Sequence, residues 1–211
     1  MQPANTLRAP PGMLGRIFRR KRAEAGDSRV SPRRMRKIAG STSADRAAEM
    51  LSAPSALLQL DHQEARTVVA YMRPHKIPEG ATFIREGDTD NTDFMLLLLD
   101  GEVTIETIVV SRTQPITVTV LGPGSLIGEM GLLDGAPRSA SCTAMSDLRC
   151  AILTRDALKQ LLDDDPRTAA KLMMAISLRI AQRMRENQDK LKLYAQLTQA
   201  MNEEINELMP I

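Results

Sequence analysis

Tryptophan is absent from this chain, aromatic residues make up only 2% of it, and it holds just two cysteines and two histidines. Scarce aromatics argue against a single-strand nucleic-acid platform, which stacks successive bases on rings. The core must be filled by Leu, Ile, Val, Ala and Met, within an apolar share of 43%. Cys142 and Cys150 are too few for a disulfide framework and too isolated for a tetrahedral metal site, and read as two reduced, buried thiols. His62 and His75 have no neighbour at metal-ligand spacing, so surface positions and no bound metal are expected. No stretch approaches the roughly 20 apolar residues of a membrane span, and no apolar segment marks a secretory signal. A cytoplasmic protein is the expectation.

What is present fits one ordinary core with extensions, since 211 residues would be cramped as two domains. The net charge of +2 conceals an asymmetry: residues 1–40 hold eleven Lys and Arg against Glu24 and Asp27, a balance of +9, which leaves −7 for the rest. Those first residues mix Pro, Gly, Ser and Arg without an apolar period, so 1–42 reads as a basic flexible leader with no packed structure. Its clusters, Arg19-Arg20-Lys21-Arg22 and Arg33-Arg34-Met35-Arg36-Lys37, suit either a solvated tail or contact with an anionic partner.

The spacing predicts a short helix over Ala44 to Leu51 and a second from the Asp61/Glu64 capping pair to about Arg73, ended by Pro74. From Ile77 onward short β-rich runs alternate with turn residues: Phe94 to Leu99, Val103 to Val110, Ile116 to Leu121, Ala140 to Ala144 and Leu148 to Leu153. Asp100-Gly101 reads as a hairpin turn. An antiparallel barrel or sandwich is expected from this spacing. After Thr154 the period is helical, and Pro166, placed after Asp163-Asp164-Asp165, is suited to open a long helix. Along it Met173, Ile176, Ile180, Met184, Asn187, Leu191, Tyr194, Leu197 and Met201 recur every three or four residues, a seam expected to meet a second copy of the chain.

The chemistry concentrates between Gly124 and Ala140, where Glu129 and Arg138 stand nine positions apart among glycines. A helical turn starting near Glu129 offers free backbone N–H groups to an anion, Arg138 adds a planar fork matched to phosphate oxygens, and a carboxylate can accept a ribose hydroxyl. Together they describe a ribose-phosphate clamp.

The pattern Gly128-Glu129-Met130-Gly131-Leu132 followed by Arg138-Ser139-Ala140 resembles the phosphate-binding cassette of the cyclic-nucleotide-binding domain family. The runs His75 to Gly80, Gly87-Asp88 and Asp100 to Val103 are similar to that family's first strands, so the likeness covers roughly residues 56–190. It implies a mainly β fold with flanking helices: a jelly-roll-type β-roll with N-terminal helices over 43–165, then a C-terminal dimerisation helix over 166–211. It also implies that Glu129 accepts the ribose 2′-hydroxyl beside Gly128 and Met130, and that Arg138, Ser139 and Ala140 hold the cyclic phosphate. Val118 and Thr119 would touch the base, as would Asn187, which could equally fix helix register. Ile127 and Ser125 depart from the family, where an aromatic and an Asp are frequent. No length remains after the long helix for the helix-turn-helix of the bacterial activators, so DNA binding is not expected.

The reading is a non-catalytic sensor of cAMP, or of cGMP, that signals to a downstream protein through the C-terminal helix of a homodimer. No nucleophile–base pair is visible, and no cofactor beyond the nucleotide ligand is expected. The competing reading is a ligand-free dimeric scaffold in which Glu129 and Arg138 bond each other inside a degenerate roll.

Overall fold

The computed structural model describes residues 31–52, 60–107 and 116–208. Its elements run α1 (Pro32–Ile38), α2 (Thr42–Ser52), α3 (His62–Tyr71), β1 (Arg73–Ile77), β2 (Thr82–Ile84), β3 (Phe94–Asp100), β4 (Val103–Thr107), β5 (Ile116–Leu121), β6 (Leu126–Ile127), α4 (Glu129–Asp134), β7 (Ser141–Ala144), β8 (Leu148–Thr154), α5 (Arg155–Asp164) and α6 (Pro166–Leu208). The strands form two four-stranded sheets, ordered β1-β8-β3-β6 and β2-β7-β4-β5, with antiparallel pairing throughout. This is the expected jelly-roll-type roll followed by a long helix.

Strand β3 shows why the roll and its helices belong to one body. Successive strand side chains point to opposite faces, and here both faces are buried. Met95, Leu97 and Leu99 join the cluster shared with Leu51, Val68, Leu161 and Leu172 of the helices. Phe94, Leu96 and Leu98 face the interior of the roll, against Val103, Cys142, Cys150 and Ile152. A run apolar at every position is what two buried faces require.

Several local expectations are met by a definite mechanism. Asp61 accepts the Glu64 N–H at 2.8 Å while the Glu64 carboxylate accepts the Asp61 N–H at 3.0 Å, closing the capping box that starts α3. Others are corrected. Strand β1 begins before Ile77, at Arg73, and contains Pro74, which is tolerated because β1 lies at a sheet edge. Asp100-Gly101 joins strands of opposite sheets instead of closing a hairpin. Gly101 turns the chain there at φ +92, where an added Cβ would stand 2.7 Å from Leu148 and 2.8 Å from the Asp147 carbonyl.

The expectation of no packed structure through residue 42 is corrected over its last dozen residues. Ser31 caps α1 by accepting the Arg33 N–H, and Pro32 sits in its first turn. Arg34 then lies 4.4 Å over the Tyr71 ring and donates to Gln160 on α5, while Ile38 packs against the helical core. The cluster at residues 19–22, the rest of the leader up to residue 30, and the expected continuation of β4 to Val110 lie outside the described residues.

Candidate functional site

Strand β6 ends at Ile127 and the chain turns through Gly128 at φ +81 into the single-turn helix α4. Backbone bonds anchor the segment beyond α4: the Arg138 N–H donates to Asp88 O at 3.0 Å, and the Arg138 carbonyl accepts the Gly87 N–H at 2.8 Å. Arg138 is therefore pinned to the turn after β2, and it is 5% exposed.

The Arg138 guanidinium runs inward beneath α4. Its Nε and Nη2 donate to Asn91 O at 2.9 and 2.5 Å, Nη2 also to Phe94 O at 3.0 Å, and Nη1 to Gly128 O at 2.9 Å. It lies 4.6 Å over the Phe94 ring. Burial pulls its pKa below the ordinary arginine value, and the carbonyls compensate the desolvated cation. The glycines of the motif make room for it: a Cβ at Gly128 would stand 2.7 Å from Nη1 and one at Gly131 2.9 Å. The glycine spacing is thus explained by clearance for an arginine.

Glu129, 4% exposed, opens α4, and its Oε1 accepts from Nη1 of Arg183 on α6 at 2.6 Å. Arg183 Nη2 also reaches Leu126 O at 3.5 Å. The acid and Arg138 occur in one cradle but are not bonded to each other, and each has a partner within the chain.

The other expected residues fall into three groups. Met130, Ser139 and Ala140 lie on the same segment, the first two exposed and Ala140 half-buried. Thr119 is exposed on β5, and the side chain of Val118 lies outside the described residues. Asn187 is exposed on α6, one turn beyond Arg183. Sequence reasoning missed Arg183, although it continues at helical spacing the stripe of buried Leu172 and Ile176 and half-buried Ile180. It also missed the carbonyls of Asn91 and Phe94, which no side-chain pattern advertises.

Burial pushes the Cys142 and Cys150 thiols up to about 12, so both remain protonated. His75 is half-buried on β1, not at the surface as expected, and burial lowers its pKa; His62 is exposed. Among the described residues no group of three or more His, Cys, Asp or Glu could hold a metal ion, and no helix is long and apolar enough to cross a membrane. A hollow of about 1020 Å³ is lined by residues of α1, α2, α3 and α5, and no cassette residue lines it.

The family profile described as cyclic nucleotide-binding domain matches residues 74–165. A solved cyclic nucleotide-binding domain from Methylobacillus flagellatus is 31% identical, with a TM-score of 0.64 over 72% of this chain and 83% of that one. The chain belongs to the cyclic nucleotide-binding domain family. This cyclic nucleotide-binding domain is also similar to the CRP-like cAMP-activated global transcriptional regulator of Mycobacterium tuberculosis, at 27% identity over 60% of this chain and 52% of that protein. The regulatory domain of Toxoplasma gondii PKA, solved with cAMP, is 27% identical with a TM-score of 0.51, covering 58% of this chain and 46% of that one. The chain spans about half the length of the curated relatives it matches first.

Proposed function

We propose that this protein is a non-catalytic cyclic-nucleotide sensor, with cAMP the preferred ligand and cGMP the alternative, acting in the cytoplasm. The observation that carries the reading is Glu129: a buried carboxylate at the first residue of a helix, beside a buried arginine, whose partner is a side chain from the output helix. Support for cAMP comes from the CRP-like cAMP-activated regulator and the PKA regulatory domain solved with cAMP.

In this reading Gly128, Glu129 and Met130 receive the ribose, while Arg138, Ser139 and Ala140 receive the cyclic phosphate. Val118, Thr119 and Asn187 meet the base. The ribose 2′-hydroxyl competes with Arg183 for the Glu129 carboxylate. A ligand shifts a conformational equilibrium only by binding one state better than another. Exchange of Arg183 for a hydroxyl supplies that difference and frees the helix beyond it. Residues 43–165 act as the sensor and 166–211 as the output, joined to a second copy through the exposed seam and passing the signal to a downstream protein.

A second reading keeps the fold and removes the ligand. It is favoured by the partners that Glu129 and Arg138 already have, Arg183 for one and three carbonyls for the other. Calorimetry with cAMP and cGMP separates the two. The sensor binds at least one nucleotide, and Glu129→Gln weakens it by about tenfold or more through loss of a charged acceptor. No heat from either nucleotide with a folded protein selects the scaffold.

A further inference from the structure

We infer that Arg155 is a positioning residue for the cassette, holding the C-terminal end of α4 to the helical module; this rests on the nucleotide-binding reading. Arg155 is the first residue of α5, whose cap is Thr154. A cation there opposes the helix dipole, which favours negative charge at an N-terminus and positive charge at a C-terminus. The side chain escapes that conflict by crossing to another helix end. Its Nε donates to Leu132 O at 3.0 Å and its Nη2 to Gly131 O at 2.6 Å, carbonyls in the last turn of α4, where Gly131 O also accepts the Gly135 N–H at 3.0 Å.

Two further observations fix the guanidinium in place. A Cβ built on Gly135, which ends α4, would stand 3.3 and 3.4 Å from the two Nη atoms, so the terminal turn lies directly on the cation. The Arg155 N–H donates to Asp93 O at 2.7 Å, within the 91–94 segment whose Asn91 and Phe94 carbonyls hold Arg138. Arg138 braces the start of α4 through Gly128 O, and Arg155 braces its end. Because Arg155 begins α5 and Arg183 lies on α6, both ends of the cassette helix are tied to the same helical module. A ligand that moves α4 must therefore move against both ties.

The test is amide hydrogen exchange of the full chain without nucleotide, followed by a cAMP titration, on the wild type, Arg155→Ala and Arg155→Lys. Arg149→Ala, which removes an exposed pair with Asp100, is the control. The alanine variant should exchange residues 129–135 at least tenfold faster while β3 and β8 keep their protection, and its cAMP affinity should fall about tenfold. Lysine, with one donating head in place of a fork, should restore part of both. Should the alanine variant not fold, the lysine variant alone must show the faster exchange confined to 129–135. Unchanged exchange in that segment overturns the inference, as does a lysine variant indistinguishable from wild type together with an alanine variant whose loss extends equally to β3 and β8. If exchange changes as expected but the wild type binds no nucleotide, the brace is upheld and the ligand reading fails.

Discussion

The two halves of α6 have the same helical geometry and opposite surroundings. In residues 166–183, Ala169, Leu172, Ala175 and Ile176 are buried against the roll and its helices, and Met173 and Ile180 pack at their margin. Beyond Arg183 the apolar residues are open: Met184 is 59% exposed, Leu191 66%, Tyr194 63% and Met201 62%. A single seam read along the sequence is therefore two surfaces, one satisfied by the chain's own core and one with no cover among the described residues. Arg183 stands at the junction of the two. Met184, Asn187, Leu191, Tyr194, Leu197 and Met201 recur every three or four residues, close to the spacing of a coiled coil, and we propose a second copy as their partner.

Truncating a side chain in the packed half should do the most damage. Leu172→Ala should cost about 2–5 kcal/mol in chemical denaturation, because a fully buried side chain leaves a cavity. The corresponding change in the open half, Leu191→Ala, should leave monomer stability within about 0.5 kcal/mol. It should weaken self-association in sedimentation. Equal stability losses at the two positions would show that the division is misplaced. At the junction, Arg183→Ala removes the competitor for Glu129, so cAMP affinity should rise several-fold in a binding titration; a fall would make Arg183 a ligand contact.

The smallest effect comes from the roll. His75 has a folded-state pKa below its ordinary value of 6.5, the cause being burial. Above that value it contributes nothing to pH dependence. As pH falls through it, the unfolded chain takes up a proton the folded chain resists, so stability declines with acid. Replacing His75→Gln should flatten this part of the pH profile in thermal melts, whereas removing open-half residues should not.

What was legible in the sequence was local. The capping box at Asp61, the β-rich run of β3 and the Gly-Glu to Arg-Ser cassette all announce themselves within a few residues. What escaped depends on contacts distant in sequence. Helix α1 carries four basic residues and no apolar stripe, yet Arg34 finds Gln160 and Tyr71. The role of Arg183 depends on Glu129, 54 residues earlier. The chain crosses between the sheets at Gly101, where Leu148 and Asp147, from another part of the chain, leave no room for a Cβ.

A side-by-side titration of the full chain with cAMP and 2′-deoxy-cAMP probes the Glu129 contact itself. Saturable binding of cAMP is expected, with affinity at least about tenfold lower for the analogue that lacks the hydroxyl offered to Glu129. Equal affinity for the two ligands, or no binding of either, would rule out Glu129 as the ribose acceptor.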